Sequence, residues 1–135
     1  MITFRVIFAV LFGLVLGSIA NMALVMVSGY IIPPPPGVDM TTADGINAGL
    51  PALEARHFLF PFLAHSIGTL VGAFVATKMT NHHQLPAALT IGVLFFVGGV
   101  MASRMIPAPM WFIAVDLIAA YFPCVWLGYW LARPR

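Results

Sequence analysis

Four long apolar runs dominate the chain, separated by short polar or proline-rich breaks. Residues 6–32 and 85–103 hold no charged side chain and no histidine, 58–77 hold only His65, and 110–131 hold only Asp116. A helix that crosses hydrocarbon needs about 20 mostly apolar residues, because lipid offers the backbone no partner outside its own segment. Each run is long enough, so the pattern predicts transmembrane helices over residues 4–32, 56–79, 85–105 and 109–132. The breaks at residues 80–84 and at Pro107-Ala108-Pro109 are tight, which makes the second, third and fourth helices antiparallel neighbours. The predicted fold is all-α: a four-helix transmembrane bundle forming one integral membrane domain, with a longer loop between helices 1 and 2.

Composition sharpens this picture. With 61% hydrophobic and 7% charged residues, the chain lacks the polar exterior of a soluble globule, which has about 25% charged residues. Membrane lipids are therefore its expected surroundings. The net charge of +2 is scattered rather than gathered in a basic patch, so nucleic acid is not an expected partner. The single cysteine, Cys124, has no internal disulfide partner. Arg5 ahead of an apolar core and the small-x-small segment Ser18-Ile19-Ala20 suggest a signal peptide, but the run continues to Ile32, beyond the length of such a core. A retained first helix is expected.

Lysine and arginine near helix ends set orientation. Arg5, Lys78, Arg133 and Arg135 fall on one side of the four spans, and Arg56 and Arg104 on the other. The richer side is cytoplasmic by this rule, giving N-in, C-in topology in a cell membrane, expected to be a bacterial inner membrane. Pro33-Pro34-Pro35-Pro36 ends the first helix and begins a stiff outer arm. Thr41-Thr42-Ala43-Asp44 has capping-box-like spacing and predicts a short surface helix before Pro51.

Small residues recur every four positions: Ala9, Gly13 and Gly17; Ala64, Gly68, Gly72 and Ala76; Ala120, Cys124, Gly128 and Ala132. In the third helix the pairs are Ala88 with Gly92 and Gly99 with Ser103. Such stripes let helix backbones approach in lipid, within one chain or between copies.

Ionisable groups inside a membrane are costly and often functional. At about 1.5 Å per residue, Asp116 lies about 9 Å beyond Met110, His65 about 12 Å beyond His57, and Asn21 about 16 Å below Ile32, all measured inward from the outer surface. Glu54, Arg56, His57 and Arg104 join them at the outer rim. The candidate ligand or ion pathway is thus Asn21, Glu54, His57, His65, Arg104 and Asp116, above an almost wholly apolar inner half. For Asp116 the favoured partner is Arg104, an ion pair across the outer hairpin, with a proton or cation site as the other reading. His65 either bonds a neighbouring helix or relays protons, and a regular helix would put it on one face with Glu54. Glu54-x-x-His57 has a metal-ligand spacing, but a single copy beside Arg56 is weak support for a cation, and no metal is assigned. His82-His83 reads as a solvated inner link. Pro123 predicts a kink that deprives the Ala119 carbonyl of its usual partner. Trp111, Tyr30 and Trp130 read as interfacial anchors.

No cofactor motif or nucleophile–base pair is recognisable. The leading functional expectation is permeation or transport of an ion, proton or small solute through the outer polar cluster. The alternative is a non-catalytic assembly subunit whose stripes dock a homo-oligomer or a larger membrane partner. An enzyme acting on an apolar substrate ranks below both.

Overall fold

The computed structural model describes residues 4–134, so Arg135, used above for orientation, lies outside the described residues. Six α-helices follow one another: α1 (Phe4–Ile31), α2 (Ala43–Gly49), α3 (Leu59–Met79), α4 (Gln84–Met105), α5 (Met110–Ala119) and α6 (Phe122–Ala132). No strand occurs among the described residues. Four segments of 28, 25, 22 and 23 residues are long and apolar enough to cross a membrane: α1, Ala55–Met79, α4, and α5 with α6. At about 1.5 Å per residue even the shortest exceeds the hydrocarbon thickness of about 30 Å. The chain is a multi-pass membrane protein built as a four-helix bundle.

The expected boundaries hold to within a few residues, and the departures have local causes. The second span opens with a 3-10 turn over Ala55–Phe58, and Pro61 sits in the first turn of α3, where a missing N–H costs little. The fourth span is two helices rather than one kinked helix. Tyr121 leaves helical geometry at φ −108°, ψ −80°, two residues before Pro123, and the Cys124 thiol donates weakly to the stranded Ala119 carbonyl, at 3.8 Å.

α3 is the central helix, packed against α1, α4 and α6. The small-residue stripes provide the contact. A Cβ built on Gly17 would lie 2.5 Å from the Gly68 carbonyl oxygen and 2.9 Å from the Phe95 ring, so α1 can approach α3 this closely only with glycine there. Ala73, Ala76, Ala87, Ala88, Ile91 and Val125 form a dry core, with Val6, Val10, Leu14, Phe95 and Tyr129 packed around it. This core fills the half of the bundle nearer the described chain ends. There the Arg5 guanidinium donates to the Met79 carbonyl at 2.8 Å, closing α1 onto the end of α3.

At the other end, residues 33–58 fold back as a roof. The short helix predicted before Pro51 is α2, but its cap is Thr42 rather than Thr41: the Gly45 N–H donates to Thr42 Oγ1 at 3.0 Å. Thr41 instead donates its hydroxyl (2.6 Å) and its N–H (2.8 Å) to Asp39 Oδ1. These bonds, the hydroxyl's foremost, hold the Asp39 carboxyl below its ordinary range. Asn47 Nδ2 donates to the Met105 carbonyl at 3.0 Å, tying the roof to the end of α4.

Candidate functional site

His65 and Asp116 enter the bundle from neighbouring helices at similar depth below the roof, and they meet. His65 Nδ1 lies 2.9 Å from each oxygen of the Asp116 carboxylate. A second donor, the Tyr121 hydroxyl, reaches Asp116 Oδ2 at 3.0 Å. Asp116 is 4% exposed and Tyr121 1%, so the carboxylate is almost enclosed, and each of its oxygens accepts from a protein donor. This is how a membrane interior tolerates a carboxylate: two or more hydrogen bonds replace the water it has lost.

The local sequence builds this arrangement. In an unbroken helix Tyr121, five residues after Asp116, would lie about 140° around the axis from it. The break between α5 and α6 turns the tyrosine back toward the carboxylate. Its hydroxyl then occupies the space left by Gly99 on α4, where any Cβ would overlap it. The His65 ring stacks on Tyr121 with centroids 5.8 Å apart and 28° between planes. Tyr121 is the member of this cluster that the sequence reading missed, and the kink expected at Pro123 was the signal that could have found it.

His65 and Asp116 lie at the floor of a cavity of about 410 Å³. Its walls come from the roofed halves of all four spans, including Val25, Phe60, Ala102 and Ile113, and its cover from Met40, Ile46, Leu50 and Leu53 of the roof. The volume falls within the range of about 300–1,000 Å³ found for small-molecule sites, and the lining is overwhelmingly apolar, as such sites are.

The remaining predicted residues distribute differently. Arg104 does not pair with Asp116. The cavity side of α4 carries Gly99, Ala102, Ser103 and Ile106, the i, i+3, i+4, i+7 set of one helical face, so Arg104 turns off that face and is exposed. Its place in the last turn of α4 suits a cation, at the negative end of the helix dipole. Glu54 does not share a working face with His65, because the 3-10 turn over Ala55–Phe58 breaks the regular helix that alignment requires. Its carboxylate instead pairs with Arg56 at the exposed rim, at 3.1 Å.

His57 lines the cavity but is structurally occupied. Its Nδ1 accepts the Glu54 N–H at 2.9 Å, which leaves Nε2–H to donate to the Pro33 carbonyl at 3.3 Å. The effect is to pin the start of the roof to its end. Asn21 sits one turn beyond Gly17 against Gly68, below the cavity rather than in its wall, with its side-chain oxygen buried and unpartnered by protein. Among the described residues no three His, Cys, Asp or Glu side chains converge as metal ligands would.

Two of the six predicted site residues therefore form the floor, a third braces the roof, and Tyr121 completes the set. Compared with family profiles, with curated proteins and with solved structures, the chain matches none.

Proposed function

We propose that this protein takes a small, largely apolar solute into the cavity from the outer side of a bacterial inner membrane and holds it against His65. One observation carries this reading: a histidine oriented by a buried carboxylate stands at the floor of an apolar, ligand-sized cavity. Aspartate on Nδ1 fixes the ring and its tautomer, so that Nε2 is the end offered to whatever occupies the cavity. The excess of Arg and Lys at the opposite end of the bundle supports placing the roof on the outer side.

In this reading His65 and Asp116 form a receiving site. Onward passage would require α1 and α3 to part at Gly13, Gly17, Gly68 and Gly72, so transport, if coupled to binding, involves a conformational step or a partner.

Filling the cavity tests the reading. Ala102→Trp puts a large side chain into the wall from α4, while Gly29→Ala, also in the wall, adds a methyl group that meets nothing within 4 Å. Native mass spectrometry of protein released from membrane nanodiscs is expected to show small-molecule adducts on the wild type and Gly29→Ala, but not on Ala102→Trp. Equal adducts on all three, or none on any, would overturn the proposal.

A further inference from the structure

The polar side chains of the cavity can be accounted for one by one, and the balance is uneven. Ser28 spends its hydroxyl proton on the Val25 carbonyl at 2.6 Å, and Ser103 spends its own on Val100 at 2.8 Å. Each therefore offers the cavity only oxygen lone pairs. Both nitrogens of His57 are engaged, one by the Glu54 amide and one by the Pro33 carbonyl. Each oxygen of Asp116 already accepts a hydrogen bond, from His65 or Tyr121. What remains is His65 Nε2, which has no protein partner among the described residues.

Its character follows from the other ring nitrogen. An ionised carboxylate accepts only, so Nδ1 must carry the proton that binds Asp116, and in the neutral ring Nε2 is then a bare acceptor. With His65 neutral, the cavity's side chains present acceptors and no unspent donor, and neither Lys nor Arg lines it. An anion would find nothing to compensate its lost hydration, and a molecule with only acceptors would leave its own polar atoms and His65 unsatisfied.

We propose that the ligand is a neutral molecule with an apolar body and a hydroxyl head, and that the hydroxyl donates its proton to His65 Nε2. This rests on the cavity reading given above and adds the chemical class of the occupant. Long-chain or isoprenoid alcohols and hydroquinols have this chemistry; fatty acids, which are anionic at neutral pH, do not.

Three probes of one chain length separate these possibilities: 1-decanol, 1-methoxydecane and decanoate. Each is titrated at pH 8 into the full-length protein in nanodiscs, and uptake by empty nanodiscs is subtracted. Decanol is expected to bind about fivefold to tenfold more tightly than the ether, the worth of one net hydrogen bond between neutral groups, and decanoate weakest of all. His65→Phe should erase the preference for alcohol over ether while leaving the binding of the ether itself nearly unchanged.

Asp116→Asn provides a second variant in case His65→Phe fails to fold. An amide can donate to Nδ1 as well as accept from it, so the ring is no longer held in one tautomer, and the preference should fall by several fold. Equal binding of alcohol and ether to the wild type, or tightest binding of decanoate, would overturn the hydroxyl proposal while leaving the cavity reading intact. No binding of any probe, or binding undiminished in Ala102→Trp, would overturn the cavity reading, and the hydroxyl proposal with it.

Discussion

At the scale of single residues, the partner of Asp116 decides what the site is. With the carboxylate held by His65 and Tyr121, Asp116→Ala strands the buried Tyr121 hydroxyl and the half-buried His65 N–H, and an unsatisfied buried polar group costs about 1–3 kcal/mol. Tyr121→Phe removes a single bond and keeps the ring, for a loss of about 0.5–1.5 kcal/mol. Arg104→Ala removes an exposed side chain and should change stability by no more than about 0.5 kcal/mol. Reversible unfolding in mixed detergent measures all three, and an Arg104→Ala loss matching that of Asp116→Ala would restore the ion pair across the hairpin. The sequence made His65 and Asp116 conspicuous, because a span with one ionisable group advertises it. Their pairing was hidden because it depends on matching depth and facing direction across α3 and α5, whereas Arg104 merely lies near Asp116 along the chain. Tyr121 was hidden for a related reason: five residues is the wrong interval in a regular helix, and only the break at Ala120–Tyr121 makes it right.

At the scale of elements, spans and stripes were legible because length, hydropathy and four-residue spacing are local properties. The stripes of α1 and α3 meet each other, so a bulkier side chain there must push two backbones apart. Gly17→Leu should destabilise the bundle by about 1–3 kcal/mol or more, the usual cost of overpacking, while Gly29→Ala, with nothing near its added methyl group, should be neutral. Similar losses for both, in the same detergent assay, would contradict the α1–α3 contact. The roof was less legible, since its ties reach across the chain from His57 to Pro33 and from Asn47 to Met105. Asp39 gives the roof a pH dependence of definite sign. Its folded pKa is depressed below 3.8, so the bonds from Thr41 are present above that value and lost as the pH falls through the folded pKa. Amide exchange at Thr41 is expected to accelerate in that acid range and to be insensitive to pH-linked loosening near neutrality, once the intrinsic pH dependence of exchange is corrected for.

At the scale of the whole molecule, the proposed orientation puts the roof on the outer face of the membrane. A cysteine introduced as Asp44→Cys on exposed α2, in a Cys124→Ala background, should react with a membrane-impermeant maleimide added to intact cells. Labelling only after lysis would invert the topology and place the cavity on the cytoplasmic side. The glycine crossing of α1 on α3 has an electrical meaning as well. Beneath the floor of the cavity the two backbones touch at Gly13 against Gly72 and at Gly17 against Gly68, so no gap wide enough for a file of water runs between these two helices. On the reading proposed above, that contact would keep a site opening to one leaflet from carrying charge across the membrane as it fills and empties.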